Sequence, residues 1–277
     1  MSFGSIQAEV GDVVFKFKKR VLGRQDFRRT QLYCVGMGKT GTHSLSGMFS
    51  GDVRAAHEPQ ATELIEKILD WREGRLSEPA MTAWLLARDR RMALEVDSAG
   101  LNYWILDFLL REFPRARFVL TVRDCYSWIN SSMNHWLRHT DPDQQWIRFQ
   151  DFRLGRKDIP YDAGEQILKE KGFHPLDAYF ALWTKHNSEV IAKVPADRLL
   201  IVRTHEIRRR AFEIADFAGL PRRTVSLQKT HEFQNPAKQE IIRQVDRDLL
   251  ERKVEQHCRP LMTRLFPEIK SLADARL

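Results

Sequence analysis

Cysteine is scarce. Cys34, Cys125 and Cys258 are the three cysteines in 277 residues, odd in number and far apart. No two of them form a CxxC pair, so neither a disulfide framework nor a thiolate metal site can be built from them, and the usage suits a reducing compartment. Long apolar runs are missing as well. No stretch of about 18 apolar residues occurs, and the first residues lack the apolar segment of an export signal. No basic run is interleaved with aromatics, so a nucleic-acid module is not expected, despite a net charge of +8 and a pI near 9.5. These absences leave a chain expected to be soluble and cytoplasmic, without stable membrane insertion. Its positive charge favours anionic ligands.

What the chain does have is concentrated in two stretches. Leu32-Tyr33-Cys34-Val35 is a short apolar run that reads as a buried strand; glycines follow at 36, 38 and 41, and Thr42 to Phe49 is amphipathic and reads as a helix. A strand, a tight glycine turn and a helix start form an anion cradle. The amides of the turn and of the first helical turn converge, and the helix dipole adds about half a positive charge. Lys39 adds a whole one, and Thr40, Thr42 and Ser44 offer hydroxyls. In a nucleoside-triphosphatase loop the lysine directly follows the last glycine. Here Thr42 and His43 follow Gly41, and Tyr33 stands where the alternative Gly38-Lys39-Thr40 register needs a glycine.

The second stretch is Arg117 to Ser131. Phe118 to Val122 has the composition of a buried parallel strand, and Arg123 stands at its C-terminal end, where open α/β sheets bind ligands. Ser131 follows about two helical turns later. An arginine leaving a strand and a serine on the next helix can grip one phosphate from two sides, the guanidinium fork giving charge-assisted bonds. Asn130-Ser131-Ser132 matches a glycosylation sequon, but it falls inside this candidate phosphate site and reads as accidental.

Lys39-Thr40-Gly41-Thr42 resembles the K-[ST]-G-T core of the 5′-phosphosulfate loop of sulfotransferases, and Arg123 with Ser131 resembles their 3′-phosphate pair at the same spacing. The likeness covers residues about 30–265 and is sharp only in these stretches. It implies one sulfotransferase domain over 1–277, of α/β class: a three-layer P-loop-like fold with a central parallel sheet flanked by helices. It implies transfer of a sulfuryl group from 3′-phosphoadenosine-5′-phosphosulfate (PAPS) to a hydroxyl, or secondarily an amine, of a small-molecule acceptor, releasing 3′,5′-adenosine bisphosphate (PAP). On this reading Lys39, Thr40, Gly41, Thr42, His43 and Ser44 hold the 5′ end, Arg123 and Ser131 hold the 3′-phosphate, and no metal is required. Lys229 and Lys238 lie in a loop that folds over the nucleotide in this superfamily, although the R-K-G signature of cytosolic members is absent.

Glu58, His57 and Asp97 are the candidates for the proton acceptor. His57 and Glu58 come one helix and one short strand after Lys39, which returns the chain to the same edge of the sheet. In several sulfotransferase branches a glutamate at this place is the base, so Glu58 leads. Its structural alternative is an ion pair with Arg54; that of His57 is packing or capping. Asp97 follows a strand read over Met92–Val96, at the strand end where cytosolic sulfotransferases place a catalytic histidine that this chain lacks. Ala61–Glu73, Glu78–Arg91, Leu101–Phe113, Pro175–Val194, Arg210–Ala218 and Asp246–Phe266 read as helices. Arg198–Ile207 reads as a strand and turn in which Thr204-His205 replaces the family's Tyr-Glu. Residues 138–172 read as an irregular insertion, a lid or substrate loop with Trp146, Phe149, Phe152 and Tyr161. Two rivals remain open. A P-loop kinase of a small metabolite would need ATP and Mg²⁺, and a non-catalytic anion-binding module would leave Arg123, Ser131 and Glu58 without a shared purpose.

Overall fold

Five short strands, β1 (Leu32–Cys34), β2 (Ala55–His57), β3 (Val96–Ser98), β4 (Arg117–Val122) and β5 (Leu199–Arg203), form one sheet in the order β2-β3-β1-β4-β5, with every pairing parallel. The computed structural model describes residues 27–49, 53–138, 143–155, 160–228 and 239–277. In chain order the helices are α1 (Thr42–Gly47), α2 (Ala61–Arg72), α3 (Glu78–Met92), α4 (Leu106–Glu112), α5 (Cys125–Arg138), α6 (Gln144–Leu154), α7 (Gln166–Glu170), α8 (Leu176–Lys193), α9 (Ala211–Ala218), α10 (Arg247–His257) and α11 (Arg259–Leu265). The chain divides into two units, Met1–Val122 with Val190–Gln234, and Arg123–Glu189 with Asn235–Leu277.

The first unit is a central parallel sheet covered by helices, the α/β architecture expected. Parallel strands are buried on both faces, and the register assigns each residue to a face. Leu32, Cys34, Val96, Val119 and Val202 share one face and are packed under Leu45 and Met48 and under Ala211, Ile214 and Ala215 of α9. Tyr33, Asp97 and Phe118 share the other, where Tyr33 stacks on Phe118 and packs against Phe113, and Arg88 of α3 reaches Asp97. From β1 the chain moves to β3 and β2 on one side, and β4 and β5 lie on the other. The C-terminal ends of β1 and β4 therefore flank the topological switch point, where such sheets bind ligands.

In the second unit Tyr126, Phe149, Tyr179, Phe180, Trp183 and Phe266 are buried on or beside its helices. All three cysteines are free and buried: Cys34 in the first unit, Cys125 and Cys258 in the second.

Local rules account for many boundaries. Gly74 and Gly219 adopt left-handed conformations (φ 75° and 71°) just past α2 and α9, as helix-ending glycines do. Four expectations shift. The strand is Val96–Ser98, not Met92–Val96: α3 continues to Met92, Ala93 turns left-handed (φ 45°), and the strand begins where Val96 meets Leu32. Leu101–Phe113 starts as a 3-10 segment, Gly100–Ile105, because Asn102 is drawn to the Cys34 and Asp97 carbonyls (both 3.1 Å). The final helix breaks at Cys258 into α10 and α11, where Pro260 lacks the amide needed to continue. Residues 138–172 are not wholly irregular: they contain α6, whose Gln145 amide is capped by the Asp143 side chain, and α7.

Candidate functional site

The loop leaving β1 is pinned at nearly every step. Val35 N donates to Val119 O (2.9 Å), laying the loop along β4. Gly36 is required there: a Cβ would run into Thr121 Oγ1 and come within 2.6 Å of the Thr121 carbonyl. Thr40 is buried, and its hydroxyl lies 2.7 Å from Met37 O and 2.8 Å from Thr121 Oγ1, so it holds the loop's shape. Lys39 takes a left-handed conformation (φ 72°), uncommon for a residue with a Cβ, and Gly41 follows at φ 98°. Behind Gly41, Ile207 fills the space a side chain would need. Thr204 Oγ1 lies 2.7 Å from Thr40 O and 3.0 Å from Val122 O, so one hydroxyl ties the loop to the last residue of β4. Ser98 Oγ donates to Thr42 O (2.6 Å). The first bond of the α1 ladder runs from Leu45 N to Gly41 O, so the amides of Thr42 to Ser44 stand outside that ladder at the loop's mouth.

His57, the last residue of β2, joins this loop. Its Nε2 is 3.1 Å from Thr42 Oγ1, and its ring lies 4.8 Å from that of His43. Burial, then the neighbouring His43 and Lys39, lower its pKa to about 4, so the ring is neutral at pH 7. Glu58 follows in a left-handed conformation (φ 46°), with its amide on Ser98 O (3.0 Å). Asp97 stands elsewhere. The register puts it on the sheet face opposite Ser98 and His57, and its carboxylate, 4% exposed, pairs with Arg88 (3.0 Å) and accepts from Asn102 (3.2 Å). Burial raises its pKa, with Arg88 and Asn102 opposing.

In the second unit Arg123 directly follows β4, and Trp183 Nε1 donates to its carbonyl (3.0 Å). Burial lowers the guanidinium's pKa, and Asp124 partly offsets this. Asp124 is itself engaged: its Oδ1 accepts from Ser127 N (2.8 Å), an N-terminal cap for α5. Among the described residues neither the Arg123 guanidinium nor the Ser131 hydroxyl makes a hydrogen bond or an ion pair. Asn130 is buried in α5, unsuited to glycosylation.

The structure thus gathers Lys39, Thr40, Gly41, Thr42, His43, Ser44, His57 and Glu58 in the first unit and sets Asp97 apart from them. Lys229 and Lys238 lie outside the described residues. Sequence reasoning missed Thr204, Thr121 and Asp124. Thr204 alone left a trace, as a departure from the family's Tyr-Glu. Among the described residues no group of three or more His, Cys, Asp or Glu side chains is placed to hold a metal ion, and no helix is long and apolar enough to cross a membrane.

A family model described as "Sulfotransferase domain" matches residues 31–206, a span that includes both candidate stretches. Among solved structures, a sulfotransferase from Alicyclobacillus acidocaldarius is similar at 15% identity over 86% of this chain and 96% of its own, with a TM-score of 0.49. The sulfotransferase domain of the Synechococcus PCC 7002 olefin synthase is similar at 14% identity over 77% and 92%, with a TM-score of 0.35. No curated protein matches the chain.

Proposed function

The chain belongs to the sulfotransferase family, whose model spans more than half of it, and from that premise we propose that it transfers a sulfuryl group from PAPS to a hydroxyl, or secondarily an amine, of a small-molecule acceptor. The whole chain acts as one sulfotransferase domain on this reading, in a cytoplasmic setting that three thiols without disulfides suit. The observation that carries it is Arg123. A mostly buried guanidinium is expensive to leave without a hydrogen-bonded counter-charge, and among the described residues Asp124 attracts it without forming a hydrogen bond or an ion pair. An incoming phosphate would complete it, with Ser131 as the second donor.

The remaining roles follow from chemistry. PAPS supplies the sulfuryl group, and sulfur exchanges its bridging phosphate oxygen for the acceptor oxygen. Lys39 neutralises charge on the bridging oxygen, and the amides from Thr42 to Ser44 hold the 5′-phosphate. The acceptor's proton goes to the end of β2. Glu58 is the leading base and the neutral ring of His57 its alternate, whereas the ion pair with Arg88 suits Asp97 to holding β3 rather than moving protons. A general base contributes roughly 10²–10⁴-fold, so Glu58→Gln lowers turnover and leaves nucleotide affinity in place. Lys229 and Lys238 are assigned to the nucleotide's cover.

Calorimetric titration with PAP, beside ATP–Mg²⁺ and AMP, tests the reading in wild type and Arg123→Ala. Selective PAP binding that weakens in Arg123→Ala supports it. Binding of ATP–Mg²⁺ without PAP replaces it with a metabolite kinase, and indifference to all three nucleotides with a non-catalytic anion module.

A further inference from the structure

Among the described residues no hydrogen bond or ion pair fixes the Arg123 guanidinium, and Asp124 attracts it only through space. Where the fork points therefore depends on how the backbone beneath it is held. That backbone stands at a helix entry. Asp124 caps α5: its carboxylate takes the Ser127 amide (2.8 Å), and the helical ladder opens with Trp128 N on Asp124 O (2.9 Å). The Ser127 amide is thus taken before it can serve the Arg123 carbonyl, which lies just outside the helix and needs a donor from elsewhere. Trp183 of α8 supplies it. The indole is fully buried, and its Nε1 donates to Arg123 O at 3.0 Å.

The residues after Asp124 are fastened in turn. Cys125 N donates to Met262 Sδ of α11 (3.5 Å), and the Tyr126 hydroxyl donates to Glu251 of α10. The other Glu251 oxygen accepts from Leu272 N (2.9 Å), and the buried Ser127 hydroxyl donates to Arg276 O (2.9 Å). Residues 272–276 are in this way strapped to the first turn of α5. The cap alone would start a helix. The further ties from α8, α10, α11 and the strap fix a short stretch of backbone beside a charge that nothing else fixes, which is how a group is aimed before its ligand arrives.

We propose that Trp183 is a positioning residue for the 3′-phosphate: its indole N–H holds the Arg123 carbonyl and so aims the guanidinium, while the strap through Ser127 and Arg276 steadies the same turn. The proposal rests on the sulfotransferase reading, which gives Arg123 its phosphate.

PAP and AMP are titrated calorimetrically into wild type, Trp183→Phe, Ser127→Ala, Arg123→Ala and the two double variants that add Arg123→Ala. AMP carries the 5′-phosphate without the 3′-phosphate, so the ratio of the two affinities reads the grip of Arg123. Trp183→Phe keeps an aromatic ring and loses the N–H; it is expected to weaken PAP by about 3- to 10-fold, the range of one net hydrogen bond, and to leave AMP unchanged. Ser127→Ala weakens PAP by about 2- to 3-fold with the same selectivity. In the Arg123→Ala background neither substitution changes PAP affinity, because residues acting through one another are not additive. Tm falls equally in both backgrounds, so lost packing is read apart from lost aim. Equal weakening of PAP and AMP, or a loss of PAP affinity as large in the Arg123→Ala background as in wild type, would make Trp183 a packing residue and overturn the proposal. If Trp183→Phe does not fold, Ser127→Ala decides by the same readings. A preference for PAP that is lost in Arg123→Ala but kept in Trp183→Phe and Ser127→Ala overturns the positioning role alone. A wild type that does not distinguish PAP from AMP overturns the reading of Arg123, and the proposal with it.

Discussion

The loop after β1 and the arginine after β4 are built on opposite plans. In the loop, the Thr40 hydroxyl, the Thr40 and Thr42 carbonyls and the space over Gly36 and Gly41 are all taken by the surrounding framework. At Arg123 and Ser131, among the described residues, no side chain hydrogen-bonds or ion-pairs with the guanidinium or the hydroxyl, and Asp124 attracts the charge only through space. A loop that must present backbone amides needs its shape fixed beforehand, because amides cannot reach. A guanidinium needs only a place and a missing partner. On the proposed reading, one region therefore draws on folding energy for geometry, and the other gives up folding energy for affinity.

That contrast can be broken from either side. The largest effect is expected on the pinned side. Gly36→Ala drives a methyl into Thr121, at about 1–3 kcal/mol or more for overpacking, so Tm falls by several degrees and turnover with it; an unchanged melting curve means the loop yields freely. Arg123→Ala, on the open side, costs about 10- to 100-fold in PAP affinity with Tm unmoved. A Tm drop comparable to that of Gly36→Ala would make Arg123 a framework residue and erase the difference. Thr204→Val removes one clamp, a loss of about 1 kcal/mol. Tm and PAP affinity both decline modestly, and Thr204→Ser restores them.

The smallest effect is one of pH. His57 titrates near 4 when folded and near 6.5 when unfolded, so the unfolded chain binds more protons between those values. Its contribution is complete above about pH 6.5 and is lost as pH falls towards 4. The shift sets a ceiling of about 3 kcal/mol, and solvent screening of a partly exposed ring brings this nearer 1–2 kcal/mol. Comparing Tm against pH for wild type and His57→Gln isolates it; parallel curves would show that the ring is not held neutral by its surroundings.

The same contrast marks what the sequence made legible. Strand, glycine turn and helix start lie within fifteen residues, and Arg123 and Ser131 within nine, so both stretches were readable from local rules. The boundary of β3 was not, because it depends on where Val96 meets Leu32, a pairing across 64 positions. Helix α6 was hidden by its polar composition and shows itself only through the Asp143 cap and the burial of Phe149 and Leu154. The Thr204 clamp spans 164 positions to Thr40, and no local pattern announces a contact of that range. Asp97 read as catalytic because it ends a strand. Its partner Arg88 lies nine residues away on α3, and only the fold brings the two together.

The three buried thiols make the folded protein nearly silent towards alkylating reagents, since a sulfur sealed from solvent does not meet the reagent. Modification must wait for the chain around each thiol to open. Cys34 then keeps time for the sheet, and Cys125 with Cys258 for the helices of the second unit. A mass-spectrometric comparison of their labelling rates would clock the two halves separately, without a mutation and without a substrate.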